Sequence, residues 1–212
     1  MYDDKASADE FFWAATELYL TTKQNSYFEQ AKAFMPQSYR VPTWGEVSGL
    51  GVQQWINQSL LGKVDGIDFP VEKMKADLLA FCDECMLRMP TSSFNAPHGN
   101  REQDFPWGSN SEMCAGQGIA LTYAYTLTKD HKYLSAAIAD ADYLLGRNAT
   151  GYCFVTGFGT KQVMHPHQRL SAADGIDAPL PGFLAGGPNP GQQDIANVTS
   201  YPSKAADESY TS

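Results

Sequence analysis

Long apolar runs are missing from this chain of 212 residues, and no stretch reaches the ~20 residues that a membrane-spanning helix needs. Basic residues are in the minority, 15 Lys and Arg against 24 Asp and Glu, for a formal charge of -9. That balance argues against nucleic acid and against anionic membranes as partners, and it fits a neutral substrate. Only four cysteines occur, at 82, 85, 114 and 153. Cys82 and Cys85 form a single C-x-x-C inside an apparent helix, with no second pair to complete a zinc ribbon, so buried free thiols are expected. The acidic start, MYDDKASADE, has none of the features of a secretory signal.

Apolar and aromatic residues are plentiful. Hydrophobic residues make up 43% and charged residues 18%, a balance that suits a globular chain with a sizeable core. The first two-thirds read as helices. ADEFFWAATELYLTTK carries apolar residues at 11, 12, 14, 15 and 18, close to helical spacing, and Ser7 with Glu10 has the pattern of a capping box. Further helices are expected over about 26–34, stopping before Pro36, over 45–61, over 70–89, stopping at Pro90, over 109–127, and over 131–145 with Gly146 as the natural stop. Successive hairpins of this kind suit a bundle, a helical solenoid or an α/α toroid. The connection 91–108 is longer and carries His98, Arg101, Asp104 and Trp107, as befits a loop that holds binding residues.

The character changes after Asn148. Prolines stand at 166, 179, 181, 188, 190 and 202 among many glycines, and no helical or strand period is visible. Residues 1–147 therefore read as helical hairpins and 148–212 as a loop region. A loop so long inside a compact domain is uncommon unless it is functional. Its centre, YCFVTGFGTKQVMHPHQR at 152–169, runs an aromatic and glycine-punctuated segment into a His-x-Arg pair. A His and a forked guanidinium can donate several hydrogen bonds and orient a carboxylate.

Five blocks in order, YLLGRN at 143–148, VTGFG at 155–159, PHQR at 166–169, SAADG at 171–175 and PGFLAGGPNPGQQD at 181–194, resemble the C-terminal part of the catalytic domain of glycoside hydrolase family 9. DEFFWAATELYLTTKQNSYFEQA at 9–31 and DFPWGSNSE at 104–112 extend the resemblance over essentially the whole chain. The family comprises cellulases and related β-1,4-glucanases. The resemblance implies an all-α fold, an (α/α)6 barrel of which this chain is about half, with a further helix starting near residue 210. It implies hydrolysis of β-1,4-glucosidic bonds with inversion, by an Asp that activates water and a Glu that protonates the leaving oxygen. No counterpart of the base segment is found here; it would precede Met1. Tyr210 fits the start of the acid's Tyr-x-x-Asn-Glu context, and Asn-Glu would follow Ser212, so the 212 residues alone are expected to be inactive.

By the same resemblance, His167 and Asp207 belong to the catalytic group, His167 near the cleavage point and Asp207 as the counterpart of the Asp that supports the acid. Arg169 pairs with His167 on the sugar. Gln168 replaces the family's frequent second His and keeps its hydrogen-bonding capacity. Trp107 is expected to stack on a pyranose face. Trp44 is a second such candidate, for which a core position is nearly as good a reading; Trp13 reads as core. Phe158, with Tyr152 and Phe154, suits either the cleft wall or buried packing. Asp9 and Glu10 match an acidic pair that binds calcium in some family members, and they equally suit the start of a helix as a complement to its dipole. Asp174 and Asp177 are a weaker calcium pair. No cofactor is required beyond such a structural calcium. The implied partners are a β-1,4-glucan or cello-oligosaccharide, and the rest of the catalytic domain or another copy of the chain. The implied location is extracellular. The competing readings are a non-catalytic carbohydrate-binding fragment and a helical scaffold whose loop merely packs.

Overall fold

The computed structural model describes residues 5–192 and 201–210. Seven α-helices, two short 3-10 turns and one π-helical turn occur among the described residues, and the extended segments meet only in isolated bridges. The all-α expectation holds. The chain forms two compact units, Met1–Asp83 and Glu84–Ser212. Gln193 and Asp194, which close the PGFLAGGPNPGQQD block, lie outside the described residues, as would a helix beyond Tyr210.

In the first unit α1 spans Ala8–Thr22, α2 Asn25–Ala33, α3 Ser48–Leu60 and α4 Val71–Met86, whose last turn runs into the second unit. The capping box at the start of α1 does not form: Ser7 makes no side-chain cap bond. Asp9 serves a longer-range contact there, accepting the Val47 amide through Oδ2 at 2.7 Å. Phe12, Ala15 and Thr16 face inward from α1, and Val52, Trp55 and Ile56 from α3, at the i, i+3, i+4 spacing of a buried stripe. Gly51 is what allows the two helices to meet, since a Cβ there would stand 2.6 Å from the Phe12 ring. Trp55 stacks on Phe69, ring centroids 3.9 Å apart. Burial of each such side chain contributes roughly 1.5–3 kcal/mol. Trp13, expected in the core, is half-buried, and its indole donates to Glu17 Oε1 one turn on.

The second unit is built on α5, Gly116–Thr128, and α6, His131–Leu144, a hairpin turned by Lys129 in the left-handed conformation and capped by Asp130, which accepts the Lys132 amide at 3.0 Å. The expected fifth helix begins instead as a π-helical turn, Asn110–Ala115, that leads into α5. Gly146, at φ +123, ends α6 as its place in the sequence predicted. The chain then returns across the end of the hairpin: Phe154 donates to the Leu144 carbonyl and Ala185 donates to Phe154. Phe105, Cys114, Tyr143, Phe154, Val163 and Tyr210 close a common core there. The loop region thus shares a hydrophobic centre with the hairpin and with the 91–108 connection. A short helix that the sequence did not announce, α7, spans Arg169–Ala173. All four cysteines are free and buried, as expected.

Candidate carbohydrate site

Within the second unit a cavity of about 120 Å³ is lined by Trp107, Gly108, His165, Pro166, His167, Ala185, Gly186, Gly187, Asn189, Tyr201 and Tyr210. Four segments deliver these residues, the last of them carrying Tyr201 and Tyr210. The first is the turn that carries Trp107, fixed on its far side where the Asn110 amide donates to the Gly186 carbonyl, Asn110 Nδ2 to Ala185 and Ser109 Oγ to Pro188, each at 3.0 Å. The second is the glycine-proline run 185–189. Gly187 is required at φ +90, and a Cβ there would meet the Asn110 side chain at 2.4 Å. The third is the His165-Pro-His167 segment, all three residues of which line the cavity. Tyr210 stands edge-on to Tyr152 and Phe154, with centroids 5.2 and 5.1 Å away.

The site therefore offers one large aromatic face, two imidazoles, an amide and two phenols. These are donors and acceptors for sugar hydroxyls beside an apolar platform. No carboxylate is among the described residues that line it. Trp107 is 41% exposed and also borders a second cavity with Glu102, Gln103, Phe105, Pro106, Asn189, Pro190 and Gly191.

The other residues singled out in the sequence lie as follows. Arg169 is exposed at the first position of α7 and is not among the described lining residues. Gln168 caps that helix, its Oε1 accepting the Ser171 amide at 2.6 Å, so its oxygen is already committed. Asp207 is half-buried near Tyr143; burial and then the charges around it, Asp207 among them, push the phenol up. Phe158 is 55% exposed and Phe154 fully buried, so the two aromatics of one segment divide between surface and core. In the other unit Trp44 is 63% exposed on the turn between Thr43 and Glu46. His165, Asn189 and Tyr201 were not singled out as site residues, although His165 flanks the PHQR block and Asn189 lies within the last block.

His98, Arg101 and Asp104 form the frame of the long loop. His98 is fully buried. Its Nε2 donates to the Asp104 carbonyl at 2.9 Å, and its amide donates to Asp140 Oδ1 at 3.2 Å. Burial pushes its imidazole down to about 4, against the opposing pull of Asp104. Burial raises the Asp104 carboxyl, but hydrogen bonds from Arg101 and the charges of Arg101 and Arg88 outweigh it and hold it below the ordinary range. Burial pushes the Asp140 carboxyl well up, and it raises Glu112 in the π-helical turn.

At the start of α1, burial raises the Asp9 carboxyl, while the Val47 amide, a hydrogen bond with Glu10 and two local amides outweigh it and hold it low. Two carboxylates held this close are hard oxygen donors of the kind that calcium takes. Among the described residues no third Asp, Glu, His or Cys joins them, so any remaining ligands would be carbonyls or water.

A helical hairpin platform, crowned by irregular loops that gather an aromatic face with imidazoles, has the layout of an α/α protein whose loops carry the site. Residues 1–211 match the model of glycosyl hydrolase family 9, and the chain belongs to that family. It is 47% identical over 210 residues to a xyloglucan-specific endo-β-1,4-glucanase of Bacteroides ovatus, covering 99% of this chain and 35% of that protein. It is 30% identical to a cellulose 1,4-β-cellobiosidase of Acetivibrio thermocellus, over 89% of this chain and 23% of the relative. A solved Bacteroides ovatus GH9 structure superposes with a TM-score of 0.79 at 42% identity, covering 97% of this chain and 38% of the other. The helices described above are thus a part of the family's (α/α)6 barrel, and the chain spans between 23% and 38% of the length of these relatives. No helix among the described residues is long and apolar enough to cross a membrane.

Proposed function

We propose that this chain supplies the substrate-holding part of an inverting hydrolase of β-1,4-glucans, and that it acts outside the cell. The observation that carries this reading is the cavity in which Trp107, His167 and Tyr210, from three separate segments, meet in a family 9 chain. In this reading a glucosyl ring lies against Trp107, and His167 hydrogen-bonds the sugar beside the scissile bond. Arg169 approaches the sugar from the head of α7, and Asp207 supports the acid. Gln168 and Phe158 remain further sugar contacts in the same unit, and Trp44, in the other unit, remains a separate candidate for stacking on a sugar. The base and acid carboxylates of an inverting reaction are assigned to none of the 212 residues, so this chain orients substrate and does not by itself move the protons. Asp9 and Glu10 hold a structural calcium ion. The glucan is cellulose, a cello-oligosaccharide or a related β-glucan.

The test is reducing-sugar release from soluble β-1,4-glucans, xyloglucan included, by the 212 residues and by a version extended at both ends. Turnover only in the longer protein supports the reading. Robust turnover by the 212 residues would place the carboxylates within them, with Asp174, Asp177, Asp207 and Glu208 the first to substitute. Failure of either protein to bind cello-oligosaccharides leaves the helical-scaffold reading.

A further inference from the structure

Trp107 stands on a turn whose near end is tied to one buried carboxylate three residues earlier. Asp104 is 1% exposed. Its Oδ2 accepts the amides of Asn100 and Arg101 at 3.2 and 2.9 Å and Arg101 Nε at 3.1 Å, while its Oδ1 accepts Arg101 Nη2 at 2.9 Å. This is a two-pronged guanidinium pair, the strongest and most directional form of such a contact. Arg88 Nη1 adds charge from 3.9 Å, and Arg88 Nε donates to the Pro97 carbonyl of the same loop. The backbone of Asp104 is held too, its carbonyl receiving His98 Nε2, and the next residue, Phe105, packs on the His98 ring with centroids 4.6 Å apart. Gly99 is built for this hub. Its φ is +94, and a Cβ would stand 2.4 Å from Asp104 Oδ2.

The anchors of Ser109 and Asn110 secure the turn on the other side, so Trp107 projects between two clamps with only Pro106 and Gly108 beside it. We propose that Asp104 is a positioning residue for carbohydrate binding: held by Arg101, it fixes the near end of the turn and so sets the direction in which Trp107 presents its indole to a sugar ring. This rests on the reading of Trp107 as a sugar platform. Asp104 is sealed from solvent and touches no substrate itself.

The experiment uses the full chain, with cellotetraose as the probe, and isolates the Trp107 emission as the difference between each protein and its Trp107→Phe counterpart. Asp104→Asn is expected to raise acrylamide quenching of that emission about twofold and to weaken cellotetraose binding about tenfold, as the loss of a charge-assisted pair at a positioning group predicts. In a Trp107→Ala background the same substitution should change affinity less than twofold, because coupled residues are not additive. A general loss of structure would not be absorbed by Trp107→Ala. Arg101→Gln keeps the buried acid and guards against a variant that fails to fold; it should move both readouts in the same direction. Unchanged Trp107 quenching in both variants would overturn the proposal, as would a tenfold loss that persists without Trp107. An unsubstituted chain that binds no cellotetraose sinks the sugar-platform reading and the proposed binding role together, and a quenching change would then leave Asp104 as an anchor of the turn alone.

Discussion

Trp55 donates its indole N–H to Thr16 Oγ1 at 3.1 Å, joining α3 to α1 with both side chains sealed from water. The bond is a polar contact between two otherwise apolar buried stripes. Thr16→Val keeps the shape and strands the indole donor. It should cost about 1–3 kcal/mol, the penalty of an unsatisfied buried group, read as a lower denaturation midpoint at unchanged slope. Thr16→Ser should restore most of it.

Acid stability has a defined contribution from His98. Its folded value of about 4 lies below the ordinary 6.5, so between those values the unfolded chain binds more protons than the folded one. Stability from this group is therefore complete above the unfolded value, falls as pH drops from about 6.5, and levels off below about 4, a span on the order of 3 kcal/mol. Asp140, raised by burial, pulls the other way, since its protonated form is favoured in the folded chain. The difference between the wild type and His98→Gln isolates the histidine. A difference that stays flat across that window would contradict the assignment.

Gly187→Ala tests the floor of the cavity. The left-handed backbone and the approach to Asn110 make any side chain there strained, and a loss of about 2 kcal/mol is expected with weaker sugar binding. Gly175→Ala is the comparison: its φ is also positive, at +74, but a Cβ would meet nothing within 4 Å. It should cost about 1 kcal/mol from backbone strain alone, with no effect on binding.

If Asp9 and Glu10 hold calcium, chelation should lower the melting temperature by about 5 °C at saturating ion, following mass action on the folded state. Glu10→Gln should abolish that response, whereas Asp9→Asn would also disturb the Val47 contact. An identical melt with and without chelator removes the calcium site from the proposal.

The helices were legible because their periodicity and their stops are local properties. Pro36, Pro90 and Gly146 bound elements within a few residues of the places their chemistry suggests. What escaped depends on distant partners. The start of α1 looked like a capping box of Ser7 and Glu10, but Ser7 makes no cap bond, and the neighbouring Asp9 instead bonds Val47, 38 residues away. The π-helical turn at Asn110–Ala115 keeps the apolar spacing of an ordinary helix, so nothing in the pattern separates it from α5. α7 is five residues long, too short to display a period. Within the candidate site, Trp107 and His167 were evident from the blocks around them. The burial of His98 and Asp104 was not, since a loop rich in polar residues reads the same whether it faces water or folds around its own ion pair.

The four sulfhydryls, each enclosed, have a practical corollary. A cysteine introduced at an exposed position near Trp107, such as Gln103, would be the only thiol within reach of a bulky alkylating dye. The chain needs no prior removal of cysteines to carry a single optical label with which the proposed glucan capture is tested.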